Sequence, residues 1–331
     1  MSTIKKIMVA AGFNLIKLFV LLALSLFQTN FAEAGELPKA LRSTSGVTEY
    51  ALGLNDAPVL VSWQAPFEER AIVLAVHGFG FNKYAYKQFA QRMQSQGIST
   101  YALDVRGFGD WTRFSSSRTQ LDLDAGVQDV KDLLISLRAA RPNTPIFLLG
   151  ESMGGALALH VAAESPELVD GVISSVPSDN LRGKNLFALK VVLKVLAKPF
   201  GRVDIGQQLM SRATNDQTLR KDLLSDSEIR TKVSSTELLR FWHFMKSNHC
   251  AAMSISGTPV LMVQGDNDHL IDSDGTRRLF EELPTSDKSM MLVKGGSHLT
   301  FEEGQFTEPT IAQVSDWMTR HVTATAMIAS R

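Results

Sequence analysis

The sequence has almost no cysteine and no excess of charge of either sign. Cys250 is the only cysteine, so no disulfide can form within the chain and no thiol pair can hold a metal ion. The 34 basic residues balance 34 acidic ones, which leaves no net charge to attract nucleic acid. Because 44% of the residues are hydrophobic, the fold must depend on its core, and we expect Cys250 to be buried there.

The longest apolar run lies at the amino-terminal end. Three lysines precede or flank the apolar residues 18–27, and Ala32-Glu33-Ala34 has small residues at the spacing that a signal peptidase recognises. This pattern predicts a signal peptide over 1–34, cleaved after Ala34, and export to the periplasm or out of the cell. The alternative is an uncleaved membrane anchor, although the uninterrupted apolar core is short for a span.

Short apolar runs alternate with helical patterns through most of the remaining chain. Strands are predicted over 71–76, 99–103, 146–149, 171–175, 260–263 and 289–293, after a leading hairpin over 47–54 and 58–63. Helices are predicted over 86–96, 123–140, 155–165, 275–282 and 310–321. This alternation is typical of a mostly parallel sheet flanked by helices, so we predict an α/β fold.

One segment interrupts the alternation. From about 178 to 256 the pattern is helical without a convincing strand, which predicts a helical cap inserted into a core of 35–177 and 257–331. In the cap, an amphipathic helix over 186–198 either packs on the core or forms a lid that contacts lipid at a membrane surface. An apolar cluster over 238–245 is expected to pack in the core, with a pocket wall as the alternative.

A serine between glycines follows the predicted strand at 146–149. The run Gly150-Glu151-Ser152-Met153-Gly154 leads into a helix with small residues in its first turn. A sharp strand-to-helix turn exposes a hydroxyl for attack, and glycines around it remove clashing Cβ atoms. The alternative is a glycine-rich connection without chemistry. The context favours Ser152 as a nucleophile, with the amide of Met153 facing a developing oxyanion.

A serine nucleophile needs a base and a group that orients the base. The strand-turn-helix context predicts the chain order serine, acid, histidine. After the strand at 260–263, the turn supplies two candidate acids, Asp266 and Asp268. After the strand at 289–293, His298 follows paired glycines and is the candidate base. The amide of Phe79, in a glycine-rich loop after an early strand, is predicted to be the second oxyanion donor.

These motifs and their order resemble the α/β-hydrolase superfamily over roughly residues 47–321. The motifs are His77-Gly78-Phe79-Gly80, Asp104-Val105-Arg106-Gly107-Phe108-Gly109, Gly150-Glu151-Ser152-Met153-Gly154-Gly155, Gly265-Asp266-Asn267-Asp268 and His298. The serine turn, the DxRGxG strand end and the helical insertion are most similar to the monoacylglycerol lipase and lysophospholipase branch. The resemblance implies a mostly parallel α/β-hydrolase sheet with an inserted helical cap.

The resemblance also implies residue roles and a reaction. It makes Ser152 the nucleophile, His298 the base and Asp268, rather than Asp266, the acid of a carboxylic ester hydrolase that needs no cofactor or metal. The chain differs from the family at Phe79 and Phe81, where small or polar residues are usual, and at Phe108, where a histidine is common. These differences concern the substrate rather than the chemistry.

Other interpretations use the same residues or the same fold. The triad also serves acyl transfer to an acceptor other than water and thioester hydrolysis. A protein of another class would keep the fold as a non-catalytic lipid-binding module. We expect a small-molecule ester or lipid substrate and no nucleic-acid partner, with a membrane surface contacted through the cap as an alternative. The sequence implies no particular oligomeric state.

Overall fold

A nine-stranded sheet forms the centre of the part of the chain that the structure describes. The computed structural model describes residues 37–52, 57–114, 120–182 and 201–329. The strands are β1 (Lys39–Thr44), β2 (Val47–Ala51), β3 (Leu60–Trp63), β4 (Ala71–Val76), β5 (Ile98–Leu103), β6 (Ile146–Glu151), β7 (Gly171–Ser175), β8 (Arg202–Asp204), β9 (Lys232–Ser234), β10 (Val260–Gly265) and β11 (Lys288–Val293). The order across the large sheet is β1-β2-β3-β5-β4-β6-β7-β10-β11.

Helices cover both faces of this sheet. They are α1 (Lys87–Gln94), α2 (Trp111–Phe114), α3 (Leu123–Ala140), α4 (Met153–Glu164), α5 (Gly206–Ala213), α6 (Gln217–Ser225), α7 (Ser235–Ser254), α8 (Ser273–Glu282) and α9 (Glu308–Ala329). Short 3-10 helices cover Lys83–Tyr86, Pro166–Leu168 and Glu302–Gly304. None of these described helices has the length and apolar composition that crossing a bilayer requires.

Six neighbouring strands of the large sheet run parallel, as the alternation of patterns predicts: β5, β4, β6, β7, β10 and β11. The pairs β4–β5, β4–β6, β6–β7, β7–β10 and β10–β11 are all parallel. Along β4, Ile72 and Leu74 join one buried apolar cluster, whereas Val73 and Ala75 join another on the opposite face. A strand buried on both faces has no polar alternation. The predicted mostly parallel α/β fold is therefore confirmed, and the carboxyl ends of these strands meet at one edge.

The leading strands are antiparallel, and one of them has no signal in the sequence. The predicted hairpin corresponds to β2 and β3, which pair antiparallel and end earlier than expected on the first strand. β1 adds an outer antiparallel strand that pairs with β2. Its residues are exposed or half-exposed, so no buried face gives the strand a hydrophobic period.

The segment between β7 and β10 is not purely helical. Within its described residues, β8 and β9 pair antiparallel beside α5, α6 and α7, so the expectation that this segment has no strand was wrong. Strands of three residues are too short to carry an alternating pattern. The predicted amphipathic helix over 186–198 lies outside the described residues, as does the predicted signal peptide over 1–34. The limits of the cap stay a prediction.

Helix α7 divides its apolar residues between the core and the solvent. Phe244 and Met245 are buried, but Leu239 and Trp242 are 66% and 58% exposed, so core packing was wrong for these two. Cys250 on the same helix is exposed, so the expectation of a buried thiol was also wrong. A helix has one face on the core, and residues between the core positions face outward.

Candidate active site

Ser152 forms the turn between β6 and α4. β6 ends at Glu151 and α4 begins at Met153, so a single residue reverses the direction of the chain. Ser152 has φ 55° and ψ −112°, a conformation that costs a residue with a Cβ about 1–3 kcal/mol. Two backbone hydrogen bonds hold it, from Ser152 N to Ser175 O at 2.8 Å and from Ala156 N to Ser152 O at 3.0 Å.

The glycines around this turn are required by close backbone contacts. A Cβ at Gly150 would lie 2.0 Å from Gly154 O, and a Cβ at Gly154 would lie 1.9 Å from Val76 O. Both distances are far below van der Waals contact, so a larger residue at either position would push β6, α4 or β4 apart. The chain around Ser152 is therefore fixed by packing as well as by hydrogen bonds.

His298 and Asp268 are hydrogen-bonded to each other. The distance from His298 Nδ1 to Asp268 Oδ2 is 2.9 Å, and the two residues are only 3% and 2% exposed. Asp268 Oδ1 accepts the backbone N–H groups of Leu270 and Ile271 at 2.7 and 2.9 Å. Gln264 Nε2 donates to Asp268 Oδ2 at 3.2 Å. The carboxylate is thus oriented on both oxygens, and it fixes which nitrogen of the imidazole carries a proton.

The same contacts shift the pKa values of His298 and Asp268. Burial alone would lower the pKa of His298, but the negative charge and hydrogen bond of Asp268 outweigh it and raise the pKa above 6.5. Burial would raise the pKa of Asp268, but the His298 charge, its hydrogen bond and the two backbone N–H groups lower it. The pair therefore favours a carboxylate beside an imidazole that accepts a proton readily.

Asp266, the other candidate acid, has a different position. It is exposed, and its Oδ1 accepts the backbone N–H of Gly295 at 2.7 Å. This bond ties the turn after β10 to the loop after β11. The structure therefore brings Asp268, and not Asp266, to the imidazole of His298.

The glycine-rich loop after β4 lies against the serine turn. A Cβ at Gly78 would lie 3.6 Å from Ser152 Cβ. The backbone N–H groups of Phe79 and Met153 donate no hydrogen bond to any other described residue. Because Met153 is the first residue of α4, its amide also lies at the positive end of that helix. Both predicted oxyanion donors are thus available to a ligand.

His77 holds the glycine-rich loop to the segment after β5, a role that no pattern in the sequence indicates. His77 Nε2 accepts the backbone N–H of Val105 at 3.0 Å, so Nδ1 carries the proton and donates to Gly78 O at 2.8 Å. Burial lowers the pKa of His77, which keeps the ring neutral as these two bonds require.

Two buried glutamates beside the turn have no counterpart among the residues predicted from sequence. Glu151 precedes the serine, and its two oxygens accept the backbone N–H groups of Thr300 and Phe301 at 2.9 and 2.8 Å. Glu302 Oε1 accepts the N–H of Gly78 at 2.7 Å. No sequence pattern singles out these residues, because each carboxylate binds backbone groups more than 140 positions away in the chain.

The structure does not join all of the predicted residues by hydrogen bonds. His298 contacts Asp268, but no hydrogen bond links Ser152 to His298 among the described residues. The bond between a nucleophile and its base is often long until substrate binds. Glu151 connects the two groups instead, since it adjoins Ser152 in the chain and binds the loop that carries His298.

Aromatic rings form an apolar wall at the glycine-rich loop. The Phe79 ring packs edge-on against Phe108 and Phe241, with ring centroids 5.2 and 4.8 Å apart. Phe241 belongs to α7, so the segment between β7 and β10 reaches the predicted oxyanion loop. An apolar wall beside the predicted catalytic residues has the character of a pocket for an acyl chain attached to a polar head.

The segment between β7 and β10 also binds the backbone of three loops at the site. Arg182 Nη1 donates to Asp268 O at 2.8 Å, Ala213 O accepts from Leu299 N at 3.1 Å, and Arg230 N donates to Gly80 O at 2.8 Å. These loops carry Asp268, His298 and the glycine-rich motif. In the described residues, no three His, Cys, Asp or Glu side chains are grouped as a metal site requires.

The chain is similar to known proteins in both sequence and fold. The family described as serine aminopeptidase, S33 matches residues 68–305. The chain is 25% identical over 261 residues to a monoacylglycerol lipase of Mycolicibacterium smegmatis, covering 78% of this chain and 92% of that one. It is 26% identical over 271 residues to the monoglyceride lipase of Homo sapiens, covering 81% and 88%.

Two solved structures give the same picture for the fold. The crystal structure of a Paleococcus ferrophilus monoacylglycerol lipase has a TM-score of 0.65 at 25% identity and covers 79% of this chain and 98% of that one. A soluble variant of the monoglyceride lipase from Saccharomyces cerevisiae, in complex with a substrate analog, has a TM-score of 0.65 at 20% identity, covering 90% and 98%. The predicted α/β-hydrolase fold is therefore confirmed.

Proposed function

Because this chain belongs to the serine aminopeptidase S33 family of hydrolases, we propose that it is a carboxylic ester hydrolase that cleaves monoacylglycerols or lysophospholipids. The observation that carries the proposal is the strained turn at Ser152, which lies against the Gly78 loop. The amides of Phe79 in that loop and of Met153 in the turn donate no hydrogen bond to the described residues. The lipase names of several relatives support an ester of a single acyl chain as the substrate.

The proposed reaction proceeds in two steps. Ser152 Oγ attacks the ester carbonyl carbon while His298 Nε2 takes the hydroxyl proton, and the same nitrogen then protonates the leaving alcohol. Water, deprotonated by His298, attacks the acyl-enzyme and releases the fatty acid. Asp268 holds the imidazole through the Nδ1 bond and stabilises its cation.

The amides of Phe79 and Met153 are proposed to bind the oxyanion that forms in each step. Such preorganised donors are worth most where water is excluded, and removing one typically costs about 10²–10³-fold in rate. The aromatic wall of Phe79, Phe108 and Phe241 excludes water from this side and offers an apolar surface to the acyl chain.

The proposal includes export of the chain. A signal peptide over 1–34 would be removed after Ala34, and the mature protein would then begin at Gly35. Amino-terminal sequencing of the protein recovered from the periplasm or the medium tests this point. Recovery in the membrane fraction with an intact amino terminus would favour the anchor instead.

The test of the proposed activity uses Ser152→Ala in the full chain. We expect hydrolysis of monoacylglycerols, lysophospholipids and short p-nitrophenyl esters by the wild type, and a loss of about 10⁴-fold or more in the variant. The circular dichroism spectrum should stay unchanged, because alanine relieves no packing contact in the turn. Retained activity in Ser152→Ala would exclude this serine as the nucleophile, and a strong preference for short soluble esters would contradict the lipid substrate.

A further inference from the structure

Glu151 and Glu302 are fully buried carboxyl groups that the proposed reaction does not use. Both have 0% exposure, and they lie on different elements, Glu151 at the end of β6 and Glu302 in the 3-10 helix after His298. A buried carboxylate costs several kcal/mol in desolvation unless hydrogen bonds compensate it. Two such groups that act on each other electrostatically therefore require a structural or electrostatic reason.

Their hydrogen bonds join the loops on which the site depends. Glu151 adjoins Ser152 and accepts the backbone N–H groups of Thr300 and Phe301, which follow His298. Glu302, on the same loop as His298, accepts the N–H of Gly78 at 2.7 Å. The serine turn, the histidine loop and the glycine-rich loop are thus linked through two carboxyl groups.

The two carboxyl groups differ in how many donors they meet. Both oxygens of Glu151 accept a backbone N–H, as a carboxylate requires. Glu302 accepts one N–H on Oε1, but its Oε2 has no partner among the described residues. Oε2 and the backbone oxygen of Glu151 lie only 3.1 and 3.4 Å from the Cβ position at Gly78. Because Oε2 accepts no hydrogen bond there, a proton on that oxygen makes Glu302 neutral without breaking any of its hydrogen bonds.

We propose that Glu151 and Glu302 act as a positioning pair that carries a single negative charge, located on Glu151. Ionised Glu151 holds the histidine loop against the serine turn and stabilises the His298 cation together with Asp268. Neutral Glu302 holds the glycine-rich loop that presents the amide of Phe79. This role rests on the proposed function only in so far as His298 is the base, and neither glutamate touches the substrate.

The electrostatics of the surrounding groups agree with this division. Burial raises the pKa of Glu151 to about 7, opposed by the two N–H groups and by His298. Burial and the neighbouring Glu151 raise the pKa of Glu302 well above its ordinary value. The first proton of the pair therefore leaves Glu151, and Glu302 keeps the second.

The charged and titratable groups that act on the pair and on His298 are few. Asp268 and Glu151 act on His298, both raising its pKa. Glu303, next in the chain, and Glu151 act on Glu302. Tyr86 lies close to both glutamates, and its hydroxyl donates to Val76 O, so it supplies no proton to either carboxyl group.

The test compares two isosteric variants, Glu151→Gln and Glu302→Gln, with Glu167→Gln as a control that removes one exposed carboxylate elsewhere. The readout is the pKa of the His298 imidazole, followed by NMR on protein labelled at its seven histidines and assigned with His298→Asn. This measurement needs no substrate. It therefore separates a failure of the positioning pair from a failure of the proposed activity, which Ser152→Ala tests.

The two variants should behave differently. Glu151→Gln removes the charge, so the imidazole pKa should fall below that of the wild type and kcat should drop about tenfold, less than the loss of an oxyanion donor. Glu302→Gln replaces a neutral acid by a neutral amide, so the imidazole pKa should stay at the wild-type value, as in Glu167→Gln. An equal fall in both variants, or a fall only in Glu302→Gln, would overturn the assignment of the charge.

A second measurement keeps the proposal testable if Glu151→Gln does not fold. The wild-type protein above pH 7 should show the infrared C=O stretch of a protonated carboxyl group, and this band should disappear in Glu302→Gln. Absence of the band from the wild type would show that Glu302 is ionised, and an undiminished band in Glu302→Gln would show that the proton lies on another carboxyl group. Either result would contradict the proposal.

Discussion

The turn at Ser152 and the segment between β7 and β10 border the same site, yet different forces hold them. The turn has a strained positive φ at Ser152, and close packing and backbone hydrogen bonds hold it in place. At Gly150 and Gly154 a Cβ would lie only 2.0 and 1.9 Å from a backbone oxygen. The other segment reaches the site through aromatic packing and a few backbone contacts, and it exposes Leu239 and Trp242. The comparison suggests that the turn determines the reaction and that the segment selects the substrate.

The largest effect on kcat should come from replacing Asp268. Asp268→Asn removes the charge that stabilises the imidazolium and gives His298 Nδ1 an amide in place of a carboxylate, so kcat should fall about 10⁴-fold for every substrate. Asp266→Asn is the matched control, since Asp266 is exposed and its carboxylate accepts the backbone N–H of Gly295 rather than contacting His298. Steady-state kinetics on long and short esters measure both. Similar losses in the two variants would contradict the assignment of Asp268.

A strong effect on stability should come from the glycines of the turn. Gly154→Ala places a Cβ 1.9 Å from Val76 O, so the free energy of unfolding should fall by about 3 kcal/mol or more. Gly295→Ala meets nothing within 4 Å and has only its positive φ of 72° to accommodate, which costs about 1 kcal/mol. Urea denaturation of both variants measures the difference. A Gly154→Ala protein as stable as Gly295→Ala would show that the turn is not tightly packed.

A smaller effect concerns pH. His298 must be neutral to accept the serine proton, and its pKa in the folded protein is raised above 6.5, so kcat/KM should decline on acidification already above pH 6.5. The raised pKa stabilises the fold below pH 6.5, and this contribution is lost as pH rises through the folded-state pKa. A pH profile of kcat/KM measures the first effect. An acid limb below pH 6.5 would mean that Asp268 does not stabilise the imidazolium.

The smallest effect should separate the two regions by substrate. Phe241→Ala removes the ring that packs on Phe79, so kcat/KM for long-chain monoacylglycerols should fall about tenfold, with less than about a twofold change for a p-nitrophenyl acetate. Leu239→Ala, on the exposed side of α7, is the control. A uniform loss across chain lengths would mean that Phe241 supports the catalytic residues rather than the acyl chain.

The parts of the fold that the sequence predicts are those with local signals. The parallel strands are apolar along their whole length, and the serine turn needs glycine at particular positions, so both are recognisable in one dimension. β1, β8 and β9 were missed because an exposed edge strand and three-residue strands have no buried face to mark them. The burial predicted for Cys250 was wrong because it rested on the residue type, whereas its position on the exposed side of α7 determines its exposure.

The candidate site likewise contains residues that have a local signal in the sequence and residues that have none. Chain order and strand ends point to Ser152, Asp268 and His298, because each follows a strand that ends at the same edge of the sheet. Glu151 and Glu302 carry no such signal, since their partners are backbone N–H groups brought close only by folding. Residues that act through side-chain chemistry can be proposed from sequence, whereas residues that hold loops together require the structure.

Labelling with a long-chain fluorophosphonate, followed by peptide mapping, tests the central claim most directly. The probe forms a covalent adduct only with an activated serine. We predict one adduct per chain, located on Ser152, which is absent from Ser152→Ala and forms more slowly in Asp268→Asn. No adduct, or an adduct on another serine, would contradict the account of this turn as the catalytic centre.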